Sequence, residues 1–244
     1  MNDDAKDVLK AGAEAAMAPF SRLIETLFGG AVEEIGGGWK DKLAVRRQFR
    51  QIKLMQKLQA AIDNSRFEPR AIPDNVWMPA IQAASVEDDD SMQERWANLL
   101  ANAADPRDQT EVLPSFPTIL KELTPRDAMF LSNFYDDFSS PTSERHSFTN
   151  RGGYSETELS AFYPQKGFEP VALAEETSPD RVPVGGYLRL TLNTLERNGL
   201  VQKVYMSAAG REEPGDSLVP VIHDYEITSL GEFFIRACRP PQAS

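Results

Sequence analysis

The chain has 244 residues, of which 41% are hydrophobic and 26% charged, and its formal net charge is −11. This composition is ordinary for a globular protein with one large or two small domains, and the negative charge disfavours a general nucleic-acid binder, which needs clustered Lys and Arg. Cys238 is the only cysteine, which excludes an intrachain disulfide and a cysteine-rich zinc site.

The start, MNDDAKDVLK, lacks the basic and apolar regions of a secretory signal. The sequence contains no run of about 18 apolar residues, the length that predicts a membrane-spanning helix. We therefore expect a cytoplasmic protein, with peripheral association at the inner membrane as the alternative.

The first predicted helix is amphipathic. Residues 5–35 begin alanine-rich, and residues 20–35 place apolar side chains at spacings of three and four. Gly29-Gly30 weakens the pattern, and Gly36-Gly37-Gly38 ends it. This glycine-rich segment predicts a hinge that would let the first helix expose its apolar face on a trigger.

The second predicted helix, residues 39–62, concentrates positive charge. Residues 40–57 hold seven Lys or Arg and one Asp, so the rest of the chain carries about −17. Phe49, Ile52, Met55 and Ile62 are expected on other faces than the cations. The cations that follow one face, called here the basic stripe, are Lys42, Arg46, Arg50, Lys53 and Lys57.

The basic stripe suggests an anionic partner. Such a stripe beside an apolar helix can bind a membrane surface, a nucleic acid or an acidic protein face. The alternative is that it docks on the chain's own acidic surface or faces solvent.

The middle of the chain predicts an extended connector over 67–79, a short helix over 79–86 and a longer one within 88–106. Ser91 with Glu94 suits a capping box, and the aspartates before them favour a helix N-terminus. Apolar residues then share one face, which indicates packing rather than ligand binding. They are Met92, Trp96, Leu99, Leu100 and Ala103.

A short helix in 113–123 is followed by a strong helix start at Thr124-Pro125-Arg126-Asp127. The sequence then predicts a polar loop over 139–153, a helix at 155–163 capped by Ser155 and Glu158, and a loop over 164–183. A helix over 186–198 has Leu188, Leu192 and Leu195 inward, with a left-handed stop at Asn198-Gly199.

Strands at 200–206 and 218–228 flank a turn-rich excursion, and a helix over 229–238 closes the chain. This order is that of a winged helix-turn-helix with insertions. The predicted fold is mainly α with a small β component: N-terminal helices (1–66), a central helical segment (67–123), a winged-helix-like domain (124–239) and a tail (240–244).

Catalytic chemistry is not predicted. His146 and His223 lack a second histidine or cysteine at metal-ligand spacing, so no metal or cofactor is expected. A nucleophilic site of Cys238, His223 and an acid requires the fold to bring them together, and a packed cysteine is the preferred interpretation. We expect neither enzyme activity nor a small-molecule substrate, and a metal-free hydrolase is a distant alternative.

A DNA-binding regulator is the main alternative function. The 186–198 helix would present Arg189, Asn193 and Arg197, with Lys203 nearby. However, residues 151–244 contain nine Lys or Arg against thirteen Asp or Glu, which disfavours DNA. A structural or protein-contacting role is preferred for this domain.

Several segments resemble the Abi-alpha family, abortive-infection proteins of bacteria and phage-related elements. The resemblance lies in WMPAIQAASVEDDDSMQERWANLLANAADP and LPSFPTILKELTPRDAMFL, with weaker similarity in RRQFRQIKLMQKLQ, LVQKVYM and ITSLGEFFIRAC. It covers roughly 39–135 well and 186–238 moderately, and it implies phage defence by abortive infection, with no catalytic residues. Motif residues expected to be structural are Trp96, Asn98, Leu99, Leu100, Pro114, Ser115, Phe116, Pro125 and Asp127, with Asn98 bonding a neighbouring turn.

These features together predict a non-enzymatic antiphage effector or sensor that acts through protein or membrane-surface contacts. A protein partner or self-association is expected.

Overall fold

A computed structural model describes residues 15–29, 42–107, 111–139, 153–162, 184–206 and 222–242. The predicted hinge at Gly36-Gly37-Gly38, the loop over 164–183 and the excursion over 207–217 lie outside these residues. The described part is mainly helical with one small antiparallel sheet. The chain divides into unit 1 (residues 1–122 and 236–244) and unit 2 (residues 123–235).

Unit 1 begins with α1 (Ser21–Phe28), whose apolar stripe Leu23, Ile24, Leu27 and Phe28 is buried as predicted. The helix ends at Gly29, which adopts φ +60°, so the predicted continuous helix to residue 35 is wrong at this point. A positive φ suits glycine because it has no Cβ to clash. Residues 30–35 lie outside the described part.

The helix α2 (Lys42–Ser65) follows the predicted second helix closely. The next helix, α3 (Asp74–Ala84), corrects the prediction of an extended connector to residue 79. Asp74 lies in its first turn and accepts a 3.0 Å hydrogen bond from Trp77 Nε1. Pro79 lies inside the helix, where it lacks a backbone N–H to donate. The free energy gained by burying the apolar side chains of the helix outweighs this loss; these side chains are Val76, Trp77, Ala80 and Ile81.

The core of unit 1 is built by α4 (Asp90–Ala104), α5 (Phe116–Glu122) and the helices before them. Helix α4 packs against α2, and α5 packs against α3. Ring packing joins α1 to α3, with the Phe28 and Trp77 centroids 4.9 Å apart. Nearly all of α4 from Met92 to Ala104 is buried, so its predicted stripe is one side of a helix that is enclosed on most sides.

Unit 2 begins with α6 (Pro125–Phe138). As predicted, Thr124 caps it. Asp127, predicted only as an acid near the helix start, completes a capping box by accepting the Thr124 N–H at 3.0 Å. The carboxylate of Asp127 is buried and also accepts a 2.5 Å hydrogen bond from Thr191 Oγ1. One side chain therefore fixes the start of α6 and ties it to a second helix of unit 2.

In its described residues, the rest of unit 2 contains a three-stranded sheet, three α-helices and a short 3-10 helix (Ser160–Phe162). In chain order the strands and α-helices are β1 (Tyr154–Ser155), α7 (Glu156–Leu159), α8 (Val184–Arg197), β2 (Val201–Met206), β3 (Ile222–Ile227) and α9 (Ser229–Ala237). The strand order is β1-β3-β2, with Tyr154 opposite Tyr225 and Val201 opposite Ile227. Strand β1 was not predicted, because two residues carry no readable alternation.

The details of unit 2 match several predictions. Leu188, Leu192 and Leu195 are buried, Ser155 and Glu158 form the predicted capping box, and Gly199 ends α8 at φ +70°. Gly231 allows α9 to approach Leu200, because a Cβ there would collide with the Leu200 carbonyl oxygen. That carbonyl accepts the Thr228 N–H at 3.1 Å.

Candidate functional site

The buried face of α2 sets the direction of its cations. Leu54, Met55, Leu58 and Ile62 are buried, so the basic stripe lies on the opposite, outward side. Lys42 begins the helix, and its side chain lies outside the described residues. The remaining stripe residues divide into a paired group and an exposed group.

Three cations of the basic stripe pair with the chain's own acids. Lys53 Nζ lies 2.6 Å and Lys57 Nζ 3.2 Å from the same oxygen of Asp90, and Arg50 lies 3.5 Å from Asp88. Hydrogen bonds from Lys53, then Lys57, lower the pKa of Asp90. These contacts agree with the intramolecular alternative in the sequence analysis. They are solvent-accessible, since the side chains of Lys53 and Asp90 are 47% and 65% exposed.

The exposed group lies nearer the start of α2. Arg46 and Arg47 are exposed and form no salt bridge within the described part of the chain. Phe49 is 67% exposed, which corrects the expectation that it faces away from the cations. It lies three residues after Arg46 and four before Lys53, so the three side chains are neighbours on one helix face. We call Arg46 and Phe49 the Phe49 patch; Arg47 is also exposed but lies about 160° around the helix from Phe49. The spacing is visible in the sequence, but the outward direction of Phe49 is not.

The acids at 87–90 organise the start of α4 as well as pairing with α2. Asp89 is the N-cap and accepts hydrogen bonds from the N–H groups of Ser91 and Met92, both at 3.0 Å. The prediction that Ser91 and Glu94 form the capping box is therefore wrong, because the helix begins earlier, at Asp90. Glu87 accepts the N–H groups of Asp88 and Asp89 at 2.9 Å. We call residues 87–90 the acidic segment.

The family-motif residues on α4 anchor the core and bind a turn. Trp96, Leu99 and Leu100 are at most 1% exposed. Asn98 donates to the Cys238 carbonyl at 3.3 Å, which confirms its predicted bond to a neighbouring turn. Asn102, which was not singled out, donates to the Ala237 and Arg239 carbonyls at 2.9 and 2.8 Å.

The second motif segment forms a turn and the start of α5. Pro114 and Ser115 are exposed in the turn, and the Ser115 carbonyl accepts the Ile119 N–H at 3.0 Å. Phe116 is fully buried. Pro125, by contrast, is the exposed first residue of α6, where a missing N–H costs no helical hydrogen bond.

The predicted tail is held by side-chain donors of unit 1. Ser65 Oγ donates to the Pro241 carbonyl and Arg107 Nη2 to the Gln242 carbonyl, both at 2.9 Å. Arg107 is held in turn by the buried carboxylate of Asp105, with Nη2 2.6 Å from Oδ2. Burial raises the pKa of Asp105, but the hydrogen bonds from Arg107 outweigh this and hold the pKa below its ordinary value.

Cys238 has the surroundings of a packed residue. It is buried, and burial raises its thiol pKa to about 12, so little thiolate exists at neutral pH. The His146 residue and the His223 side chain of the hypothetical nucleophilic site lie outside the described residues. Among the residues that are described, no group of three or more His, Cys, Asp and Glu could hold a metal ion.

The outward face of α8 carries the predicted DNA contacts. Arg189 Nε lies 2.6 Å from Glu156 Oε1, and Lys203 Nζ lies 2.9 Å from Glu196 Oε2. Asn193 and Arg197 are exposed. Leu190, also on this face, is 58% exposed. The side chains of Arg189 and Lys203 are therefore engaged with carboxylates, and an apolar side chain lies among the predicted contacts.

Comparison with known proteins supports one family. A family model described as abortive infection alpha matches residues 46–238, well over half of the chain. No curated protein and no solved structure matches the chain. Within the described ranges, no helix has both the length and the apolar character needed to cross a membrane. The match includes α2 from Arg46 onward, α4 with its Trp96 and Asn98, and all described elements of unit 2; the chain belongs to the abortive infection alpha family.

Proposed function

We propose that the protein is a non-enzymatic effector or sensor of abortive infection that acts through contact with an anionic membrane surface. The contact surface is the Phe49 patch, extended by Lys53. The observation that carries this proposal is the exposure of an aromatic ring between two cations on one helix face.

Two physical effects support a membrane surface as the partner. Each Lys or Arg near an anionic leaflet contributes about 1 kcal/mol of attraction, and Arg46 has no intramolecular carboxylate pairing in the described structure to offset it. An aromatic side chain gains further free energy when it enters the boundary between headgroups and acyl chains. The chain's net charge of −11 opposes approach at long range, but salt screens that repulsion beyond about 10 Å at 0.1 M.

Vesicle sedimentation with the full chain tests the proposal. We expect the protein to sediment with vesicles containing an anionic phospholipid and not with neutral vesicles, more weakly as salt rises. R46Q should weaken partitioning about fivefold, from about 1 kcal/mol for one cation. The matched control R22Q removes one exposed cation from α1 and should change partitioning far less.

A supernatant-only result at low salt would reject the membrane contact and leave an acidic protein face as the partner to pursue. Phe49→Ala separates insertion from charge. It should weaken binding about tenfold without changing the salt dependence, since it removes apolar area and no charge.

A DNA-binding regulator is the second candidate, and one observation favours it. The order α6, β1, α7, α8, β2, β3 and the strand order β1-β3-β2 support a winged-helix interpretation of unit 2, with α8 in the position of the recognition helix. Two observations support protein contact instead. Arg189 pairs with Glu156 and Lys203 with Glu196, and the apolar side chain of Leu190 is exposed.

A mobility-shift experiment at about 50 mM salt decides this alternative. A DNA binder should give a shift that weakens steeply with salt and is lost in R189Q/R197Q, since these cations would contact phosphates. Absence of a shift at that salt concentration rejects the alternative.

A further inference from the structure

We propose that Arg50, Lys53 and Lys57 form a binding site for lipid headgroup phosphates, and that the acidic segment occupies this site intramolecularly until an anionic bilayer displaces it. The inference rests on the proposed membrane contact and assigns its ligand chemistry and its regulation.

The geometry of the pairing identifies an anion site. The ammonium groups of Lys53 and Lys57, one helical turn apart, converge on the Oδ1 atom of Asp90 at 2.6 and 3.2 Å. Arg50 lies 3.5 Å from Asp88 Oδ2. The carboxylate oxygens of Asp88 and Asp90 stand where the oxygens of an external anion would bind, and a phosphate offers the same acceptors with more charge.

The side chains of Asp88 and Asp90 can leave this site without unfolding α4. The N-cap of α4 is Asp89, whose carboxylate accepts the Ser91 and Met92 N–H groups. Asp88 and Asp90 make the pairs with α2 but are not the cap. Their side chains are 82% and 65% exposed, so water and anions reach them. Exposed pairs of this kind are weak and easily exchanged.

The pairing lowers the affinity of α2 for an anionic surface in two ways. It engages three of the cations, and it places two carboxylates close to the bilayer that the Phe49 patch would contact. Removing both carboxylates should therefore strengthen binding by about 30-fold, since each charge near the surface contributes a factor of about five to six.

The experiment compares the full chain with D88N/D90N in sedimentation with anionic phospholipid vesicles. Asn keeps the size of each side chain, and Asp89 stays in place. The matched control is E68Q/E111Q, which makes the same change in net charge at two exposed positions. We expect about 30-fold tighter binding for D88N/D90N, less than a twofold change for the control, and loss of the gain in K53Q/K57Q/D88N/D90N.

The outcomes separate this inference from the proposed function. If the natural chain binds and D88N/D90N binds no better than E68Q/E111Q, the intramolecular competition is refuted and the membrane contact stands. If neither binds, both are refuted. Binding by D88N/D90N alone supports the intramolecular competition and refutes the membrane contact proposed for the natural chain.

A second measurement guards against a folding defect in the variants. Chemical labelling of lysines, read by mass spectrometry, should show faster modification of Lys53 and Lys57 in D88N/D90N than in E68Q/E111Q without any vesicles. Equal labelling rates would contradict the inference whatever the vesicles show.

Discussion

Asn102 makes the most demanding test of how unit 1 is held together. Its amide Nδ2 donates at 2.9 Å to the Ala237 carbonyl and at 2.8 Å to the Arg239 carbonyl, and also lies 3.0 Å from the Asn98 carbonyl. The side chain is 7% exposed. Asn102→Ala removes the donor and leaves the carbonyls at 237 and 239 without it.

The magnitude follows from those two carbonyls. A buried acceptor left without its partner costs about 1–3 kcal/mol. The bond to the Arg239 carbonyl is only part-buried and belongs at the low end, about 1 kcal/mol, so the two together cost roughly 2–4 kcal/mol. Alanine returns about 0.5 kcal/mol through its higher helix propensity. The free energy of unfolding of unit 1 should therefore fall by about 1.5–3.5 kcal/mol, a large part of the 5–15 kcal/mol typical of a domain.

Urea unfolding followed by tryptophan fluorescence measures this loss, because Trp39, Trp77 and Trp96 all lie in residues assigned to unit 1. Asn64→Ala is the matched control, since Asn64 is an exposed asparagine on α2 and should cost less than about 0.5 kcal/mol. Asn102→Asp keeps the shape and places an acceptor against acceptors, so it should be at least as destabilising as Asn102→Ala. A cost for Asn102→Ala no larger than that of the control would refute the reasoning.

Three further predictions concern individual side chains. The pKa of Asp105 is lowered, so its contribution to stability is present above about pH 4, near the ordinary value of 3.8, and is lost as pH falls through the folded pKa. In this acidic range the stability of Asp105→Asn should depend less on pH than that of the natural chain. An unchanged acid unfolding curve would contradict the Arg107 pairing. Cys238, with a thiol pKa of about 12, should resist a thiol reagent at pH 7.5 in the folded protein and react on unfolding, whereas rapid labelling of the folded chain would show that it is accessible. Thr191→Val should lower the stability of unit 2 by about 1–2 kcal/mol in urea unfolding, because it leaves the buried Asp127 carboxylate without one donor; a neutral result would mean that water replaces the hydroxyl.

Local sequence rules predicted several elements closely. The Thr124–Asp127 segment predicted the start of α6, since cap, proline and acid all lie within four residues. The spacing of Leu188, Leu192 and Leu195 predicted the buried face of α8. Asn198-Gly199 predicted its end, where glycine takes a positive φ.

The same rules failed where two local signals competed. Asp89 and Ser91 are both good caps, and Asp89 was used. Pro73 and Pro79 suggested an extended chain, but burial of the apolar side chains between and beyond them favoured α3. The competing local structures differ in intrinsic propensity by less than the free energy gained from burial, so tertiary packing decided between them.

The candidate site was only half visible in the sequence. The basic stripe follows from the 100° rotation per helical residue alone. The rotation alone does not decide which side of α2 is buried. Once Leu54 faces inward, Phe49, five residues away and about 140° around the helix, is exposed.

By itself, the sequence determined the helices with strong periodicity, their stops and the clustering of positive charge, because these depend on residues within a few positions of each other. Only the tertiary structure decided that Asp90 meets Lys53 and that Asn102 holds Ala237 and Arg239. Those partners are separated by 37 to 137 positions along the chain. Contacts at such separations form only when burial of the core brings the segments together, and no local pattern encodes that.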